Sequence, residues 1–255
     1  METGGPVDGG RRDGSPEWRR AFGDFADRER AAAGGKPLEM ALATIDLDGL
    51  PAVRMVGLRG FVGDEPLRLS REDTGEWTSD MLAFCTHAQS AKVQELAHVN
   101  DLQLACWMPH SRVQIRCSGH AHLLFHPEHP SYVSQALAIS HRVWRRDGAG
   151  TGPANVDIDF IREQAFVHHT PEVQAWYSWP PPGRIRQSDP TLYPEIMSAG
   201  GDPRERARRE ADARRNYVLV FVEVNKVDIV DLGRSTRRIH TRRSDSSWSA
   251  VDVNP

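Results

Sequence analysis

The sequence is short of the features that mark several protein classes. It has only three cysteines, Cys85, Cys106 and Cys117. They sit in apolar, strand-like runs, so they read as reduced core thiols rather than a disulfide framework, which favours the cytoplasm. No apolar run approaches the roughly 20 residues that span a bilayer, so no membrane partner is expected. The opening Met-Glu-Thr-Gly-Gly lacks the apolar stretch of a signal peptide. Neither sign of charge dominates: 32 Lys and Arg stand against 35 Asp and Glu. That balance argues against a nucleic-acid binder driven by phosphate contacts. Glycine pairs such as Gly4-Gly5 and Gly200-Gly201 are too short for a nucleotide loop, and no P-loop, dinucleotide fingerprint or Gly-x-Ser-x-Gly elbow occurs. Hydrophobic residues make up only 39%, but 255 residues suffice for a real core.

What is present is a run of short strands with helices inserted late. Residues 1–14 are Gly- and Asp-rich and are expected to be a disordered tail. Ser15-Pro16-Glu17 reads as helix cap, first-turn proline and first-turn acid, and Trp18, Phe22 and Phe25 follow at helical spacing to about Ala33. Strands are expected at Leu38 to Ile45, Val53 to Phe61, Met81 to Thr86, Leu102 to Met108 and Val113 to Phe125. A short helix is expected at Ser90 to Leu96. Asp48-Gly49 between the first two strands is a hairpin signal. Pro130 to Trp179 reads as mainly helical, broken at Gly148 to Pro153. The Arg/Glu/Asp-rich stretch at about 184–215 reads as a mobile polar insertion with an exposed helix at Pro203 to Arg215. Closing strands are expected at Tyr217 to Val224, Lys226 to Asp231, Arg237 to Thr241 and Trp248 to Val253. The order points to a mainly β fold, a β-barrel with helices at its rim, over residues 15–255.

Four clusters could carry chemistry, and each also has a plain structural reading. In Arg54-Met55-Val56-Gly57-Leu58-Arg59-Gly60, the arginines fall on opposite strand faces unless the glycines permit a bulge. An edge strand with two solvated arginines is the alternative. Thr86 to Lys92 ends a strand and opens a helix at Ser90, where free N–H groups, the helix dipole and Lys92 suit a phosphate; an ordinary capped helix is the alternative. Gln114 and Arg116 share a strand face and face either a ligand or solvent. Arg238 and His240 also share a face and suit an anion with a titratable neighbour, or decorate a charged edge strand. His120, His122, His126 and His129 crowd together, but no cysteine or carboxylate completes a familiar metal-ligand spacing, so no metal is expected.

Taken in order, Arg-Met-Val-x-Leu-Arg-Gly-Phe, a strand ending in Thr, Ser-x-Lys opening a helix, Cys-Trp and Gln-x-Arg-x-x-Gly resemble the pyridoxamine 5'-phosphate oxidase family. The resemblance is to its plant and cyanobacterial FMN-binding branch. It spans residues 38–124 and returns at 217–255 with Arg238-Ile239-His240, and Trp176 to Gly183 resembles the branch's Trp-Pro-x-Pro-Gly element. It implies an FMN-binding split β-barrel that works as a homodimer on a small-molecule substrate. Arg54, Met55, Val56 and Arg59 would line the flavin and its phosphate tail, Thr86, Ser90 and Lys92 would join the phosphate site, and Gln114 would reach the flavin from the partner chain. Arg238 and His240 would meet the substrate. The implied reaction oxidises pyridoxamine or pyridoxine 5'-phosphate, with oxygen reduced to hydrogen peroxide. Alternatives are an FMN-binding protein with another redox substrate, or a non-catalytic binder of a ligand such as heme. The sequence departs from the family at Ala91, Val230 and Asp252, where Arg, Trp and Arg are expected. The family's Tyr, Arg and Ser grip on the substrate phosphate has no match between 125 and 180.

Overall fold

The computed structural model describes residues 15–133, 136–147, 155–195 and 202–255. The tail at 1–14 and the break at 148–153 lie outside them. The elements in order are α1 (Glu17–Ala32), β1 (Glu39–Ile45), β2 (Pro51–Phe61), β3 (Trp77–Ser79), β4 (Met81–His87), α2 (Ala91–His98), β5 (Asp101–Met108) and β6 (Val113–Leu124). There follow α3 (Ala136–Ser140), β7 (Val143–Arg145), α4 (Ile158–Val167), α5 (Pro171–Trp176), a 3₁₀ turn at Pro190–Leu192, α6 (Pro203–Asn216), β8 (Tyr217–Asp231), β9 (Thr236–Arg242) and β10 (Trp248–Val253). No helix among the described residues is long and apolar enough to cross a membrane.

The strands run β10-β9-β8-β4-β2-β1-β5-β6, and β6 pairs again with β8. That second pairing closes β8, β4, β2, β1, β5 and β6 into an antiparallel barrel, with β9 and β10 extending from it. Closure demands a close approach of backbones. A Cβ on Gly119 would lie 2.0 Å from the Glu223 carbonyl oxygen, so only glycine fits there. The strands alternate as a filled barrel requires. Val113, Ile115 and Cys117 of β6 point inward and are buried, while Gln114, Arg116 and Ser118 face out. The apolar stripe of α1 joins this core: Trp18 lies 5.3 Å from the Trp248 ring and 5.9 Å from Phe61. A second core, including Phe166, Tyr177, Tyr217 and Phe221, packs the later helices against β4 and β8.

Four expectations change. Pro16, not Ser15, holds the cap position of α1; its carbonyl takes the Arg19 N–H at 3.1 Å, and no side chain caps the helix. The stretch from 130 to 179 includes a strand, β7, which pairs with the equally unexpected β3. Three-residue strands are too short to show a period of two. Tyr217 to Asp231 is one strand, and the apparent break at Asn225 is a bulge in its pairing with β6. The 184–215 segment carries the expected helix, α6, but this is tied down: Arg214 pairs with Glu163, and Arg162 donates to the Arg214 carbonyl.

Candidate functional site

Strand β2 carries a bulge. Its register against β4 jumps between Leu58 and Gly60, and Gly60 takes a φ of +129°. The extra residue, Arg59, is thereby swung out of the regular alternation. Its guanidinium donates to the Ala165 carbonyl at 3.3 Å, and its Nε is buried without a hydrogen-bond partner. Arg59 lines a cavity of about 1040 Å³ on the outside of the barrel. Met55, Val56, Lys92 and Gln114 line it too, so five of the expected flavin residues meet there within one chain.

The cavity ends at the start of α2. Ser90 occupies the cap position, yet its hydroxyl makes no cap bond and instead lies 3.0 Å from the Thr86 hydroxyl. The first N–H groups of α2 therefore have no side-chain cap, and they belong to the end of the helix that attracts anions. Lys92 donates to Thr86 Oγ1 at 3.1 Å, and burial followed by the nearby Arg54 charge pushes its ammonium pKa down. Arg54 sits beside this cradle but does not line the cavity. It pairs with Glu95 of α2 at 2.5 Å and reaches Thr44.

The opposite wall joins Cys85 of β4 to residues of α5 and the segments on either side of it. Cys85 Sγ and His169 Nε2 lie 3.0 Å apart, and Val173, Trp176 and Tyr177 line the cavity beside them. Burial, then the Arg59 charge, pushes His169 down to about 4, so its ring is neutral at pH 7. Burial pushes the Cys85 thiol up. Trp107 of β5, paired in register with Gln114, stands 51% exposed at the same cavity. The cue for Trp107 was its parity: it alternates with buried Leu104, Cys106 and Met108 and so had to point outward.

Residues 15–125 match the family model described as the pyridoxamine 5'-phosphate oxidase FMN-binding domain. Over this stretch the chain is similar to the FMN-binding domains of that family. It begins earlier than the motif resemblance and takes in α1, whose Glu29 holds the Ser111 N–H at 2.6 Å at the cavity rim. Among solved structures, the chain is similar to a pyridoxamine 5'-phosphate oxidase-related, FMN-binding protein from Nostoc punctiforme PCC 73102. The two share 19% identity and a TM-score of 0.65, over 94% of this chain and 99% of that one. It is also similar to PhzG from Burkholderia lata 383, solved with tetrahydrophenazine-1-carboxylic acid, at 16% identity and a TM-score of 0.51, over 98% and 100% of the chains. These likenesses establish the split-barrel fold. No characterised protein matches the chain in direct sequence comparison.

The cavity does not gather every expected residue. Arg238 and His240 sit on β9, and neither lines the cavity of its own chain. Arg238 pairs with Glu17 of α1 at 3.2 Å and Asp252 of β10 at 3.6 Å. His240 is 3% exposed. Arg116, which shares a face with Gln114, is taken by Asp228 at 2.5 Å. Of the crowded histidines, His120 pairs with Asp101, His122 with Glu223, and His129 stacks on Phe125. Among the described residues no group of three or more side chains of metal-ligating type comes together.

Proposed function

We propose that this chain is an FMN-dependent oxidoreductase of the pyridoxamine 5'-phosphate oxidase type, working as a cytoplasmic homodimer. The observation that carries the reading is the single cavity in which Met55, Val56, Arg59, Lys92 and Gln114 converge, with an uncapped helix start at one end. The residues fit FMN. Lys92, Thr86, Ser90, the first N–H groups of α2 and the adjacent Arg54 suit a dianionic phosphate. Met55, Val56 and Trp107 give an apolar surface for a planar ring, and Gln114 gives a polar edge. Bound FMN would supply a ring able to accept a hydride from the substrate. Arg59, Cys85, His169 and Tyr177 form the wall left for that substrate.

Homodimer assembly is favoured by the outer face of β2, β1 and β5. Val53 and Met55 are 67% and 58% exposed there, and Met55 is in register with Ala41, which is in register with Ala105. Such a continuous strip of small and apolar side chains is what a second copy would cover. Arg238 and His240 then reach a substrate only from the partner's side. The pairing of Arg238 with Glu17 and Asp252 favours a second reading, in which the redox substrate is not a vitamin B6 phosphate.

The test is to load the purified chain with FMN, add pyridoxamine 5'-phosphate in air and assay hydrogen peroxide. Catalytic peroxide release is expected. A flavin that reoxidises in air yet is never reduced by this amine would give the activity to another substrate.

A further inference from the structure

A buried acid lies beside the phosphate cradle. Glu95 lies one turn after Lys92 on α2 and is 5% exposed. One carboxylate oxygen, Oε2, takes the Arg54 Nη2 hydrogen bond at 2.5 Å and the Thr44 hydroxyl at 2.5 Å. Lys92 senses both charges: Arg54 lowers its pKa and Glu95 raises it. The three groups therefore form one electrostatic unit beside the end of the cavity, which Lys92 alone of them lines. Position 91, at the exposed start of α2, is alanine and adds no charge.

Resting on the FMN reading, we propose that Glu95 sets how strongly this chain discriminates a phosphorylated flavin from an unphosphorylated one, by sharing Arg54 with the flavin phosphate. The argument is a charge count. Arg54 and Lys92 give two positive charges and Glu95 one negative, a net of +1. A phosphate monoester carries about −1.5 to −2 at pH 7. The loaded cradle is therefore left with an excess of negative charge, in a site where burial keeps charges from being screened. Arg54 also cannot give its full fork to the phosphate while Nη2 is held by Glu95. The isolated cradle needs Glu95, because two adjacent cations without a counterion repel. The same carboxylate weakens the hold on the ligand that would otherwise supply that counterion. Riboflavin brings no phosphate and is indifferent to the exchange.

Glu95→Gln separates charge from shape. The amide oxygen still accepts from Arg54 and Thr44, and only the charge is lost. Wild type and E95Q are titrated with FMN and with riboflavin by quenching of flavin fluorescence. The expected result is FMN bound at least about tenfold more tightly by E95Q, with riboflavin within twofold of wild type. An E95Q chain that binds FMN no tighter, or shifts both flavins together, overturns the proposal and makes Glu95 a support for Arg54 only. Ala91→Arg keeps the question open should E95Q fold poorly, since the position is exposed. It adds the missing charge and should raise the FMN-to-riboflavin affinity ratio by a similar factor; an unchanged ratio means charge is not limiting and sinks the idea. A wild-type chain that binds neither flavin would instead refute the FMN reading itself.

Discussion

His87 and His169 bracket the candidate site in the fold, one at the end of β4 and one between α4 and α5. Burial is the main reason that each is pushed from 6.5 down to about 4. Between those values the unfolded chain binds protons that the native chain refuses. Native stability therefore falls as pH drops from about 6.5 toward 4, and is unaffected by these groups at higher pH. Denaturant midpoints measured at pH 7.5 and pH 5 should show this loss, and His169→Gln should show a smaller one. An equal loss in the variant would mean that His169 titrates normally in the native state. At this scale the residues that the motifs name together, Met55, Val56, Arg59, Lys92 and Gln114, come to line one cavity, because a strand and a strand-to-helix junction both leave local marks. The motifs named neither Cys85 nor His169 as a site residue, and gave no role to Trp107 or Tyr177, which lie inside the Cys-Trp and Trp176 to Gly183 motifs. Cys85 and His169 reach the cavity through tertiary packing, whereas Trp107 was marked by its strand parity.

Among the elements, β6 and β8 decide whether the barrel closes. Their pairing runs from Val113 opposite Asp231 to Leu124 opposite Leu219, with the shift beside Gly119. Gly119→Ala forces a Cβ onto the Glu223 carbonyl and should destabilise the fold by about 3 kcal/mol or more, since backbone on both sides must move. A chemical-denaturation midpoint within error of wild type would show that the closure tolerates a wider gap. Sequence periodicity placed the long strands and the α1 stripe closely, because burial of one face imposes a period. It failed on β3 and β7, which are too short to have one. It split β8 at Asn225, where a bulge interrupts alternation without ending the strand. The bulge at Arg59 was legible only as a permission given by its flanking glycines, and its consequence, an arginine delivered into the cavity, required the partner strand.

For the whole molecule, Val53 and Met55 expose two large apolar side chains on one strand face beside the half-buried Ala41. Val53→Asp places a charge on that face. The expected outcome is a dimer for wild type and a shift toward monomer for V53D in light scattering, with weaker FMN retention. A wild-type monomer that holds FMN tightly would remove the shared-site reading. The central claim, that the cavity is a flavin site anchored by a phosphate, is tested most directly by parallel titrations of the purified chain with FMN and riboflavin, repeated on Lys92→Ala. One FMN per chain should bind, at least about tenfold more tightly than riboflavin. The variant should lose about 1.5–3 kcal/mol toward FMN, the range for a hydrogen bond to a charged group, and almost nothing toward riboflavin. Equal affinity for the two flavins, or an FMN affinity that Lys92→Ala leaves unchanged, would contradict it.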